Sequence, residues 1–136
     1  MTSTELENLV RIGSLKREPS SPQEIEGLRR SGEARLADAG NPSLSLESRF
    51  DLGYNAAHAL ALVALRRAGY RSDKRYIVFQ TLAHTLAIPA ATCRLLAKCH
   101  AIRNAGEYEG EFEIDEPLLK ELLTAATVIR DALRRA

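Results

Sequence analysis

Tryptophan is absent from this 136-residue chain, and aromatic side chains make up only 5% of it. A core without large rings must draw on alanine and leucine, which suit closely packed helices. There are two cysteines, Cys93 and Cys99, six positions apart and outside any CxxC spacing. On one helix they lean to different sides and cannot be bridged. They read as small apolar residues in a reducing compartment. No apolar run approaches the ~20 residues of a membrane span. The opening "MTSTELENLV" lacks the apolar stretch of a signal peptide, so a cytoplasmic location is expected. Neither charge dominates: net charge is +1 with 27% charged residues. That balance removes the compositional case for an obligate nucleic-acid binder and leaves only a local patch. There is no glycine-rich phosphate loop and no nucleophile elbow. The three histidines lack ligand spacing, so neither a metal nor a cofactor is expected.

What is present is helical punctuation. Leu6, Leu9, Val10 and Ile12 share one side of a first helix, with Thr4 as its cap and Pro19 as its stop. Ser21, Pro22 and Glu24 open a second helix by a capping box. Its thin stripe of Ile25, Leu28 and Leu36 packs on one face only. Gly40-Asn41-Pro42 ends it. The stretch from Ser43 to Tyr70 is the longest element, apolar over most of its surface and therefore central. Arg66 and Arg67 near its end suit the helix dipole. "DKRYIVFQTLAHTLAI" predicts one shorter helix. "PAATCRLLAKCHAIRNAG" directs Leu95, Cys99 and Ile102 to the core. The last helix has Asp115 as cap and Pro117 in its first turn. Leu118, Leu122, Ala125, Ile129 and Leu133 form its stripe. No strand pair is expected. The fold class is all-α: an antiparallel up-and-down bundle of four main helices plus N-terminal helices. One domain spans 1–136, with 1–40 an N-terminal extension and 45–135 the core.

Chemistry concentrates in "RNAGEYEGEFEID". Arg103 flanks the buried stripe of its helix and needs a partner, because an unpaired desolvated charge is costly. A glutamate could staple it there, or it could hold a phosphate. Gly106 would permit the chain to turn at a helix end. Beyond it, glutamates alternate with Tyr108, Phe112 and Ile114. That pattern reads as an extended strap, apolar side down and carboxylates in water, rather than a cation site. His58 lies one turn after Tyr54, and His100 shares the flank of Arg103. His84 sits mid-helix. Acid–base work is open to each, and a hydrogen-bonded core or interface position is the commoner role for such a histidine. Paired basic residues (Arg29 and Arg30, Arg66 and Arg67, Lys74 and Arg75, Arg134 and Arg135) fall at helix ends, where solvation and dipoles explain them.

The stretch "RFDLGYNAAHALALVALRRAGY", a short helix, and then a helix ending in "RNAGEY" together resemble HEPN-domain proteins. The likeness covers roughly residues 45–135 and is to small stand-alone bacterial members found near nucleotidyltransferases. It implies a homodimer with an arginine motif facing the dimer cleft, and a nucleotidyltransferase or toxin–antitoxin-type partner. Catalytic members are metal-independent RNases with a histidine four to six residues beyond the arginine. Arg103 and Asn104 match that motif, but Tyr108, Glu109 and Gly110 stand where the histidine belongs. A tyrosine, with an ordinary pKa near ~10, is a poor general base at neutral pH. The Arg-to-Tyr form resembles branches that do not cleave RNA. The expectation is a non-catalytic binding module that takes nucleotide or RNA through Arg103, Asn104, Tyr108 and Tyr54. The alternative is a toxin-like endoribonuclease using Arg103 with Tyr108, His100 or His58. An imidazole within hydrogen-bond reach of the Arg103 cleft would raise the second reading, and the lack of one would lower it.

Overall fold

The computed structural model describes residues 3–110 and 114–136. Its elements are α1 (Thr4–Arg11), β1 (Lys16–Arg17), α2 (Pro22–Ala39), α3 (Leu46–Arg67), β2 (Tyr70–Arg71), α4 (Arg75–Gln80), α5 (Leu82–Thr85), α6 (Ala90–Glu109) and α7 (Glu116–Arg135). The chain is an all-α helical bundle. α3 is its hub, lying along α2 on one side and α7 on another. Phe50, Tyr54, Ala57, Leu60, Ala61 and Leu65 of α3 are buried, as the apolar breadth of that helix requires. No described helix is long and apolar enough to cross a membrane.

The caps follow the sequence closely. The Ser21, Ser45 and Asp115 side chains accept the amide N–H of Glu24, Ser48 and Leu118. Each satisfies one of the four donors that a helix start leaves without a partner. The α7 stripe of Leu118, Leu122, Ala125, Ile129 and Leu133 is buried throughout. Cys99 is buried and Cys93 half-buried, and both are free thiols.

Several local expectations are corrected. Ser3, not Thr4, caps α1. Ile12 lies beyond that helix and is 72% exposed, because the chain turns at Gly13 with φ +83°. Two strands do pair: Lys16 aligns antiparallel with Arg71, and Arg17 with Tyr70. The expected single helix after Lys74 breaks at Thr81 into α4 and α5. α6 runs on through Gly106 to Glu109 and ends at Gly110, whose φ of +74° glycine adopts without strain. Glu107 to Glu109 are therefore helical and not part of a strap. The rest of the expected strap, residues 111–113, lies outside the described residues.

Arg66 is a further correction. Its place at a helix end predicts solvation and a dipole contact, yet it is 1% exposed. Its Nε donates to Glu24 at 2.7 Å, and its other nitrogens donate to the carbonyls of Glu18, Pro19 and Tyr70. The connection between β1 and α2 is thus fastened to the end of α3. Five donors on one planar group make this multiplicity available to arginine alone.

Candidate functional site

The middle of α3 places Tyr54 at the centre of a polar and aromatic cluster. Tyr54 is fully buried. Its hydroxyl lies 2.8 Å from Nδ1 of His100 on α6, and the two rings stack with centres 6.2 Å apart. Nε2 of His100 is 3.1 Å from the Asn104 amide nitrogen, one turn further along α6. The amide nitrogen donates, so Nε2 accepts and the neutral ring carries its proton on Nδ1, where it donates to the Tyr54 oxygen; both imidazole nitrogens are occupied.

Two guanidinium groups approach the same tyrosine ring. The Arg103 carbon lies 5.0 Å from the ring centre and the Arg75 carbon 5.5 Å. Both distances lie within the range of a cation–π contact. Arg103 is balanced by carboxylates: Glu107 at 3.0 Å on its own helix and Asp51 at 3.5 Å on α3. Arg75, at the start of α4, donates instead to the neutral Asn55 Oδ1 at 2.8 Å. Among the described residues, no carboxylate is within ion-pair distance of Arg75. Beside it Tyr76 is 47% exposed, and its ring leans over His100 at 6.2 Å.

The cluster shifts its own titrations. Burial, reinforced by Arg103 and Arg75, lowers the pKa of His100. His58, half-buried and edge-on to Phe79 at 6.0 Å, is lowered to about 4 by burial, with Arg75, Arg103 and His100 adding to the effect. Both imidazoles are consequently neutral at neutral pH. Burial raises the Tyr54 pKa, against the opposing pull of Arg75 and Arg103.

On the outer side of Arg103 a cavity of about 620 Å³ opens between α3 and α6. Leu44 and Leu52 supply apolar wall, and Glu47, Asp51 and Glu107 supply negative charge around the guanidinium. Among the described residues, no group of histidine, cysteine and acidic side chains could hold a metal ion.

The sequence-level candidates divide cleanly. Arg103, Asn104, His100 and Tyr54 are brought together, with His58 near them on the Phe79 side. Tyr108 is on α6 but 80% exposed, outside the ring and hydrogen-bond contacts of the cluster. His84 is exposed on α5 and stands apart. Arg75, Tyr76 and Asn55 were missed as site residues. In the sequence Arg75 reads as a solvated residue at a helix end. Its proximity to a tyrosine twenty-one positions earlier has no local signature. Comparison with family models, curated proteins and solved structures found no match to this chain.

Proposed function

We propose that the protein is a non-catalytic HEPN-like binding module that holds a phosphate-bearing ligand, nucleotide or RNA, at the Tyr54 cluster. The carrying observation is the convergence of Arg75 and Arg103 on one buried ring, with Arg75 donating to a neutral amide and, among the described residues, outside ion-pair distance of any carboxylate. Like charges gathered on one ring disfavour each other, and an anion bound beside them relieves that cost. Arg103 keeps spare N–H donors after pairing with Glu107 and Asp51, because guanidinium carries five. The exposed ring of Tyr76 gives a base a face to stack on. The HEPN resemblance adds a dimer and a nucleotidyltransferase or toxin–antitoxin-type partner to this reading. A non-catalytic role accords with the absent motif histidine and with a His100 whose two nitrogens are already engaged.

One observation favours a second reading, a metal-independent endoribonuclease. His100 is an imidazole inside the Arg103 cluster, neutral at neutral pH, and so able to accept a proton once freed from one of its partners. Fluorescence anisotropy with labelled single-stranded RNA and with a nucleoside triphosphate tests the first reading. Saturable binding weakened tenfold or more in both Arg75→Gln and Arg103→Gln is expected. Binding equal in both variants and the native chain would sink the proposal. A cleavage assay in chelator decides the second reading. RNA cut by the native chain but not by Arg103→Ala or His100→Gln would replace the binding module with a nuclease. Sedimentation should find a dimer; a monomer at micromolar concentration would remove that part.

A further inference from the structure

Away from Tyr54, a second concentration of positive charge forms where α2, α3 and α7 meet. A cavity of about 260 Å³ is walled there by Arg29, Arg67, Arg130 and Arg134, with Leu60 beneath and Glu33 as the acidic side chain. Arg67 is the last residue of α3. At 1.5 Å per residue it lies roughly 20 Å along the helix from Tyr54. The two places are distinct.

The acidic side chains nearby are already committed. Glu33 accepts from Arg134 at 2.6 Å and from Arg29 at 2.5 Å. Arg29 also pairs with Glu26 on the preceding turn. Arg130 pairs with its sequence neighbour Asp131 at 3.1 Å. Arg67 makes one long bond, 3.4 Å to the Leu133 carbonyl, and among the described residues no carboxylate is within ion-pair distance of it. Helix dipoles account for cations in the last turns of α3 and α7. They do not account for Arg29, which belongs to the N-terminal half of α2, nearer its positive end. Glu33 thus buttresses two arginines, and the other two face the cavity with donors to spare.

We propose that this cavity binds a small, multiply charged oxyanion: a phosphate or diphosphate group. Arg67 and Arg130 are its principal ligands, and Arg29 and Arg134 form the positively charged flank. Guanidinium forks match phosphate oxygens in pairs. The volume falls below the ~300–1,000 Å³ typical of sites for drug-sized ligands, so the cavity selects the charged group and leaves any attached moiety outside.

The test is calorimetric titration of the full chain with inorganic pyrophosphate, orthophosphate and a nucleoside diphosphate at fixed ionic strength. Saturable binding is expected, tighter for pyrophosphate than for orthophosphate. The double variant Arg67→Gln, Arg130→Gln should lose it at least tenfold while Arg75→Gln retains it. Nucleoside diphosphate binding as tightly as pyrophosphate would identify a carried group; pyrophosphate binding alone would identify the free ion. Absence of saturable binding overturns the proposal. So does binding unchanged in the double variant, or binding lost in Arg75→Gln. Thermal unfolding checks that each variant is folded. If the double variant is not, the Arg→Lys pair carries the same test, because it keeps charge and removes the fork.

Discussion

The phenolic oxygen of Tyr54 lies 2.8 Å from Nδ1 of His100, forty-six positions later in the chain. That bond joins the hub helix to α6 at the site where the two arginines converge. Tyr54→Phe keeps the ring, its edge contact with Phe79 at 5.7 Å and both cation–π contacts. It removes only the hydroxyl, leaving a half-buried imidazole nitrogen unpaired. A loss of about 1 kcal/mol in unfolding free energy is expected, the usual cost of one such bond. Urea denaturation measures it. An unchanged midpoint would mean that the bond contributes nothing in solution.

Acid should weaken the fold in two separate stages. His58 has a folded pKa of about 4 against an ordinary 6.5, so protons favour the unfolded chain. The stability that His58 protects is complete above pH 6.5, falls as pH drops through that value, and is exhausted near pH 4. Within the window the slope from one group approaches about 1.4 kcal/mol per pH unit. His100 is lowered in the same direction and adds to it. The paired carboxylates Glu7, Glu24, Glu26 and Glu33 have lowered pKa values, so their contribution is lost only below 4.5. Denaturation between pH 7 and 5 should show a clear decline in the native chain and a flatter profile in His58→Gln. Equal slopes in both would show that His58 is hydrated and ordinary.

Arg66 carries the attachment of the N-terminal third. Arg66→Met removes the donor from three backbone carbonyls and leaves Glu24 without its strongest partner. Breaking a buried ion pair from one side costs about 3–5 kcal/mol. The lower end is expected, because Glu24 is half-exposed and can turn to water. Glu24→Gln should cost less, about 1 kcal/mol, since the amide oxygen still accepts one bond. Limited proteolysis gives a local readout: the Arg66→Met chain should be cut between residues 12 and 20 well before the native chain. Resistance equal to native would show that β1 alone holds the segment.

The uneven legibility of the sequence has a physical cause. Periodic apolar stripes and capping residues are local signals, so the all-α bundle and the starts of α2 and α7 could be read directly. Arg66 and Arg75 look like every other basic residue at a helix boundary. What distinguishes them is a partner far along the chain: Glu24 for one, the Tyr54 ring for the other. The same holds for the two-residue strands, whose pairing of Lys16 with Arg71 and Arg17 with Tyr70 is too short to leave a periodic trace in the sequence. At the site, "RNAGEY" drew attention to Arg103 and Asn104, and both are in the cluster. Tyr108 was chosen by its spacing from the arginine. On a helix that continues past Gly106, this spacing turns it outward to solvent.

Two glycines of one helix should respond in opposite ways to the same substitution. Gly27 is exposed in α2 with nothing within 4 Å of the place where a Cβ would sit. Gly27→Ala adds helix propensity and removes unfolded-state freedom, a gain of about 0.5–1 kcal/mol. Gly32 is buried where α2 meets α3, and a Cβ there would lie 2.8 Å from Leu60 Cγ and 2.9 Å from its Cδ2. Leu60 is itself fully buried, and the nearer atom is its branch point rather than a free end. The two helices must therefore separate or the leucine must leave its rotamer, at about 1–3 kcal/mol, which outweighs the propensity gain. Thermal unfolding of the two alanine variants should move the midpoint up for Gly27 and down for Gly32. A rise for both would mean that α2 is not seated closely on α3 through the stripe of Leu28, Gly32 and Leu36.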